Sequence, residues 1–237
     1  MNQDPIEQLI GRDTASVQAS FMTKVYGWMT LALSLTGITA LYVASTPEIA
    51  AAIFGSRFGF WALIIGTFLL VGWLVVAIQR MSALTATLVF LGYAVLNGVL
   101  FSSIFLAYTE TSIALTFFIT AGTFAAMSIY GYVTNADLSR IGNIAMMALI
   151  GVIIASLVNM FMQNETLYWI ISYVGVAIFV ALIAYDTQKL KNMAIQGFDG
   201  EGGVVLEKKA SIMGALTLYL DFINLFLFLL RLFGRRD

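Results

Sequence analysis

Two aspartates lie within, or at the end of, long apolar segments, and they are the residues best suited to carry chemistry. Asp221 stands at the middle of residues 214–234, GALTLYLDFINLFLFLLRLFG, and Asp186 stands in IAYDTQKL. A carboxylate at the centre of a bilayer costs about 2.5–3.5 kcal/mol on insertion scales, so it rarely faces lipid. If the two acids lie close together, they can share one proton. When both are ionised, they attract a hard divalent cation such as calcium.

Asp221 belongs to a polar stripe within its segment. Successive steps of three, four, three and seven residues, which are helical spacings, separate Gly214, Thr217, Asp221, Asn224 and Arg231. The other faces carry Leu, Ile and Phe. The pattern predicts a helix whose polar edge is turned toward the inside of a helix bundle. A structural polar lock to a neighbouring helix is the alternative role for Asp221.

Composition indicates a polytopic membrane protein. Of the 237 residues, 60% are hydrophobic and 11% are charged. A net charge of -1 gives no basic excess for binding nucleic acid, and we expect no nucleic-acid partner. Cys and His are absent, which excludes disulfides, thiolate metal sites, a Cys nucleophile and an imidazole proton switch. A proton switch near neutral pH would therefore need a carboxylate, and we expect no resident cofactor.

Charged residues divide the chain into apolar segments of about 20 residues or more, the length needed to cross a bilayer. They predict a polar N-terminal tail at 1–24, a single seven-helix transmembrane domain at 25–234 and a C-terminal tail at 235–237. The predicted spans are 25–47, 58–79, 81–109, 111–136, 141–164, 166–185 and 210–230. Residues 189–209 are predicted to form a flexible Gly-rich loop. Six glycines within the spans permit close helix approach, although ordinary packing is their default interpretation: Gly66, Gly72, Gly92, Gly98, Gly151 and Gly175.

Whether the two aspartates meet depends on the length of the sixth span. If that helix ends near residue 185, the depths of Asp186 and Asp221 differ by roughly 10 Å at 1.5 Å per residue. The acids meet only if the helix continues past Lys189 to about Ile195. The sequence KLKNMAIQ is compatible with such a continuation, but the sequence leaves the contact between the acids open.

Lys and Arg predict the orientation of the chain. With seven spans, eight of these residues fall on the N-terminal side and four on the other, which places the N-terminus in the cytoplasm. Three of those four lie in the last seven residues, so a re-entrant last segment is the alternative. Arg80, in the short IQRMS connection, is predicted to be either an anchor at the inner surface or a latch that pairs with Asp186. Arg231 is predicted either to snorkel to the interface or to pair with an acid.

Several motifs resemble the Bax inhibitor 1 family. LYLDFINLFLFLLRLFG at 218–234 and AYDTQKLK at 184–191 resemble its signature. KVYGWMT, SIYGYVT and ASLVNMF extend the similarity to its bacterial YccA/YbhL branch over essentially residues 20–236. The resemblance implies an all-α integral membrane fold of seven transmembrane helices, with the last helix central within two three-helix groups. It also implies a bacterial inner membrane location.

The resemblance further implies a pH-sensitive calcium leak. In that scheme Asp186 and Asp221 sense protons and bind calcium transiently, and Arg80 latches onto Asp186. Arg231 matches the arginine of the family's last helix, which pairs in some members with a glutamate of the second helix. This sequence has only FLL at residues 68–70 in that region, so the second pairing is not expected.

Three functions stay open at this point. The first is a cation (calcium) leak channel gated by the aspartate pair, which is not an enzyme. The second is a non-conducting regulator of a membrane protease, FtsH by resemblance, that binds through the polar tail. The third is an intramembrane aspartyl protease, disfavoured because LYLDF carries leucines where the GxGD motif of that class has glycines. The lipid bilayer is an expected partner, and a monomer is compatible with the sequence.

Overall fold

The computed structural model describes residues 5–195 and 203–235, which contain eight helices and no strand. The helices are α1 (Pro5–Ala44), α2 (Pro47–Phe54), α3 (Arg57–Ala77), α4 (Ala83–Ala107), α5 (Glu110–Val133), α6 (Ser139–Met162), α7 (Glu165–Ile195) and α8 (Gly203–Phe233). All except α2 are long and apolar enough to cross a membrane. The predicted all-helical fold with seven spans is therefore confirmed.

Polar residues between the apolar segments define the helix ends. Ser56 begins α3 by accepting the backbone N–H of Gly59 at 3.3 Å, and Thr109 begins α5 by accepting that of Ser112 at 3.3 Å. Pro47 stands in the first turn of α2, where its missing N–H costs no hydrogen bond. These local signals keep the connections between helices short.

The structure differs from the sequence-based boundaries in three places. Residues from Pro5 onward, predicted to be a polar tail, are helical and continuous with the first span, and Phe21 and Met22 among them are buried. The connection after the first span contains the short helix α2. The predicted loop 189–209 is largely helical, because α7 continues to Ile195 and α8 begins at Gly203. Residues 196–202, which hold most of GFDGEGG, lie outside the described residues.

The chain divides into two compact units. The first comprises Met1–Leu106 and Leu190–Leu216. Within it, the hydroxyl of Thr36 on α1 donates to the carbonyl oxygen of Ala94 on α4 at 2.9 Å. The ammonium groups of Lys24 and Lys209 bind the Glu207 carboxylate at 2.6 Å and the Gln79 carbonyl oxygen at 3.0 Å, respectively. These contacts connect the beginning of α8 to α1 and to the turn after α3.

The second unit comprises Ala107–Lys189 and Thr217–Asp237. Its core is aromatic. The ring of Phe222 on α8 lies edge-on to Phe117 and Phe124 of α5, with ring centroids 5.6 Å apart in both cases. Phe228 of α8 stacks on Phe179 of α7 with centroids 5.9 Å apart. The second half of α8 is therefore packed against both α5 and α7.

Helix α8 is the most buried of the seven spans. In its most apolar 18-residue window 67% of the residues are buried, compared with 11% in α3 and in α6. It also contributes residues to both units. High burial of the last helix is what the family resemblance implies.

Candidate functional site

Asp186 on α7 and Asp221 on α8 lie together in the second unit. Their carboxyl groups lie within hydrogen-bonding reach of each other. Both residues are buried, with 6% and 5% of their surface exposed. A hydrogen bond between two carboxyl groups needs a proton on one of them, because an ionised carboxylate can only accept. The two acids therefore form one protonatable pair, a contact that the sequence had left open.

The contact depends on the continuation of α7. The helix extends to Ile195, as the sequence required for the two acids to meet. Beyond Asp186, Leu190 and Ala194 are buried. Leu190 packs so closely against Gly214 of α8 that a Cβ at the glycine would lie 2.7 Å from the leucine Cδ2. Packing of this extension thus keeps α7 helical beyond Lys189.

One oxygen of the pair has no hydrogen bond. Oδ2 of Asp221 is buried and has no partner within the described ranges. A buried acceptor without a partner costs about 1–3 kcal/mol, so such atoms are rare in structures and merit a functional explanation. This oxygen is the natural position for a second proton or for contact with a cation.

Gln188, two residues after Asp186, connects α7 to the turn between α5 and α6. Its side-chain nitrogen donates to the carbonyl oxygen of Ala136 at 2.8 Å, and its side-chain oxygen accepts the backbone N–H of Leu138 at 2.9 Å. Sequence reasoning missed this residue. Its position in YDTQ, two residues after the candidate acid, is the only local signal for it.

Two glycines bring α5 and α6 close to the Asp186 segment. A Cβ on Gly131 of α5 would overlap the carbonyl group of Ala184, and a Cβ on Gly142 of α6 would overlap the ring of Tyr185. The hydroxyl of Thr187 also donates to that of Ser128 at 3.4 Å. The backbone on both sides of Asp186 is therefore held by two neighbouring helices.

Only two of the six glycines that the sequence suggested for close helix approach lie against a neighbouring helix. Gly98 and Gly175 lie where a Cβ would collide with a neighbouring helix. The other four have nothing within 4 Å of the position that a Cβ would take: Gly66, Gly72, Gly92 and Gly151. Sequence reasoning missed Gly131 and Gly142, because a glycine permits close approach without showing which face meets a neighbour.

Arg80 is exposed in the turn between α3 and α4, in the first unit. Its latch to Asp186 stays a prediction. The cation whose charge acts on the Asp186 carboxylate in the second unit is Lys189, three residues later on α7. The Lys189 ammonium lies 5.9 Å from the centroid of the Tyr185 ring.

Three further residues of the predicted polar stripe lie on α8: Thr217, Asn224 and Arg231. Thr217 is half-buried. The side-chain nitrogen of Asn224 donates to the carbonyl oxygen of Leu220 at 2.8 Å, which is a hydrogen bond within α8. Arg231 is exposed and lies over the rings of Phe228 and Tyr168, at 5.2 Å and 5.9 Å from their centroids. No carboxylate in the described part of the chain lies within salt-bridge distance of its guanidinium.

The aspartate pair offers few ligands for a metal. Among the described residues no group of three or more acidic side chains could hold an ion. Calcium takes six to eight oxygen ligands, and the pair supplies two carboxyl groups.

Comparison with known proteins identifies the family. A family model described as "Inhibitor of apoptosis-promoting Bax1" matches residues 18–237. Inner membrane protein YbhL of Escherichia coli is 50% identical over 236 residues, which cover 100% of both chains. An uncharacterised protein of Borreliella burgdorferi is 43% identical over 93% of this chain and 94% of its own. One of Rickettsia prowazekii is 46% identical over 91% of this chain and 89% of its own. The chain is therefore a multi-pass membrane protein that belongs to the Bax inhibitor 1 family.

Proposed function

We propose that the protein is a pH-sensitive cation leak of the bacterial inner membrane, with calcium as the permeant ion and the Asp186–Asp221 pair as its proton sensor. The observation that carries the proposal is the pair of buried carboxyl groups that lie within hydrogen-bonding reach of each other, inside helices long enough to cross a membrane. The location follows the name of its relative, inner membrane protein YbhL. A cytoplasmic N-terminus follows from the distribution of Lys and Arg.

The chemistry of the pair supplies a gate. With one shared proton it carries a single negative charge, which attracts a cation, either the permeant ion or Arg80 as a latch. A second proton, at a position such as Asp221 Oδ2, removes that charge and releases the latch. Because α7 and α8 are joined at this point, a change in the pair is transmitted to both helices. The leak is expected to increase as the pH falls.

Calcium flux into liposomes that hold the purified protein, measured from pH 6 to pH 8, tests the proposal. Asp186→Asn and Asp221→Asn remove one carboxylate each and should abolish or strongly flatten the pH dependence of the flux. Asp137→Asn is the matched control, because Asp137 is a fully exposed acid in the turn between α5 and α6. Hydrogen bonds from Ser139 lower the pKa of Asp137, so that it stays ionised throughout this range.

Two results would contradict the proposal. Normal pH dependence in Asp221→Asn would exclude the pair as the sensor. No flux above that of empty liposomes at any pH would favour the competing function, a non-conducting regulator of a membrane protease such as FtsH. Deletion of residues 2–20 would then be compared for its effect on association with that protease.

A further inference from the structure

A second polar site lies in the second unit, away from the aspartate pair. The end of α6, the beginning of α7 and the end of α8 line an open cavity of about 760 Å³. This volume is within the range of small-ligand sites, about 300–1,000 Å³. Its chemically informative lining residues are Asn159, Asn164, Glu165, Tyr168, Trp169 and Arg231.

Two opposite charges line this cavity without pairing. Arg231 and Glu165 both face it, yet no salt bridge joins them in the described ranges. Both residues are exposed. Charged groups of opposite sign that share a cavity but stay apart provide a position for each end of a zwitterion.

The guanidinium of Arg231 lies at the cavity beside two aromatic rings. Its Cζ is 5.2 Å from the centroid of the Phe228 ring and 5.9 Å from that of the Tyr168 ring. The N–H groups of a guanidinium match the spacing of two phosphate oxygens. Because no salt bridge within the described residues uses the Arg231 guanidinium, it can offer these donors to a phosphate.

Two asparagine side chains, Asn159 and Asn164, add hydrogen-bond donors to the lining of the cavity. The side-chain oxygen of Asn159 accepts the backbone N–H of Asn164 at 3.0 Å, and that of Asn164 accepts the backbone N–H of Leu167 at 2.9 Å. These bonds use the side-chain oxygens as acceptors. The NH₂ groups of both amides are the donors that a ligand in the cavity could contact. Between α6 and α7, the backbone of Gln163 adopts a left-handed conformation, with φ 51° and ψ 35°, which residues other than glycine rarely adopt outside turns. The tight turn places both amides at the cavity.

We propose that this cavity binds an amine-bearing phosphodiester headgroup, as in phosphatidylethanolamine. The phosphate binds Arg231 and the asparagine NH₂ groups, and the ammonium binds Glu165. Trp169 and Tyr168 supply the aromatic surface typical of the boundary between membrane and water. Free phosphoethanolamine has the same chemistry as the lipid headgroup, so the two sources must be separated by experiment. The inference does not depend on the proposed leak activity.

Native mass spectrometry of the detergent-purified full chain tests this assignment. The protein is titrated with phosphatidylethanolamine, with phosphatidylglycerol, which lacks the amine, and with free phosphoethanolamine. We expect the wild type to prefer phosphatidylethanolamine. Arg231→Gln should weaken binding of both lipids by about ten-fold, the effect of losing roughly one charge-assisted hydrogen bond. Arg235→Gln is the matched control, because Arg235 lies four residues further on and outside the cavity lining.

Glu165→Gln gives a result that a purely structural role would not produce. It should reverse or abolish the preference for phosphatidylethanolamine over phosphatidylglycerol, because the amine loses its carboxylate while the phosphate site is retained. Arg231→Lys keeps the charge and should bind with intermediate affinity, and thermal unfolding of each variant checks that it is folded. Equal binding of free phosphoethanolamine would support the headgroup chemistry and assign it to a soluble ligand. A wild type without preference between the lipids, or an unchanged preference in Glu165→Gln, would overturn the proposal.

Discussion

Helices α6 and α8 are both apolar enough to cross a membrane, but the more hydrophobic of them is the less buried. By mean hydropathy α6 exceeds α8, yet 11% of its most apolar window is buried, against 67% for α8. The helix that carries Asp221, Thr217 and Asn224 is the more buried of the two. The helix with almost uninterrupted apolar residues exposes large side chains such as Ile154 and Leu157 instead.

The difference follows from the solvent. In lipid, apolar side chains gain nothing by leaving the surrounding hydrocarbon, so helix association depends on close packing and on polar contacts. Buried positions are therefore the ones where glycines permit contact or where polar groups avoid lipid. In a membrane protein, interruptions of the apolar pattern indicate the inside better than the apolar residues do.

The largest expected effect comes from matched leucine substitutions on the two helices. Leu225 of α8 is fully buried, whereas Leu157 of α6 is 56% exposed. Leu225→Ala removes packing contacts and should lower the free energy of unfolding by about 2–3 kcal/mol. Leu157→Ala should change it by less than about 0.5 kcal/mol. Thermal unfolding in detergent measures both, and equal losses would show that the burial difference has no energetic consequence.

A second pair of matched substitutions, at one glycine on α7 and one on α6, tests the close contacts between helices. On α7, a Cβ at Gly175 would lie 2.5 Å from the ring of Phe228 on α8, whereas nothing lies within 4 Å of that position at Gly151 on α6. Gly175→Ala should destabilise the protein by about 1–3 kcal/mol through overpacking. Gly151→Ala should be neutral or stabilise by up to about 1 kcal/mol, because alanine favours helix. The same unfolding assay decides, and a stable Gly175→Ala would contradict the close contact.

The smallest expected effect concerns an acid at the exposed beginning of α6. The backbone N–H of Ser139 donates to Asp137 at 2.9 Å, and the bonds from Ser139 lower the pKa of this carboxyl below its ordinary 3.8. A lowered pKa in the folded state stabilises the protein above the unfolded-state pKa, and this contribution is lost as the pH falls through the folded-state value. The difference in Tm between wild type and Asp137→Asn should therefore be small at pH 7 and vanish as the pH falls below the folded-state pKa, which lies under 3.8. A difference that grows on acidification would contradict this account.

The sequence indicated the two aspartates themselves, but it did not indicate the residues that hold their helix segment in place. Asp186 and Asp221 stood out because charge inside an apolar helix is costly, and the helix-compatible residues after Lys189 indicated how the two could meet. Gln188 did not stand out, since its partners Ala136 and Leu138 are about 50 residues away and are backbone groups. The cavity at Arg231 was also missed, because it depends on the turn at Gln163. A local sequence pattern shows which residues avoid lipid. It does not show contacts with backbone groups that are distant in the sequence.

The burial of the aspartate pair has an electrical consequence. A proton that reaches Asp186 or Asp221 from water crosses part of the voltage across the membrane, because both residues are buried in spanning helices. Moving one elementary charge through the whole voltage changes its free energy by about 2.3 kcal/mol per 100 mV, and one pH unit corresponds to about 1.36 kcal/mol. Half-way across, a change of 100 mV would therefore act on the pair like roughly one pH unit. At that depth, the pair would respond to the membrane voltage as well as to acidity.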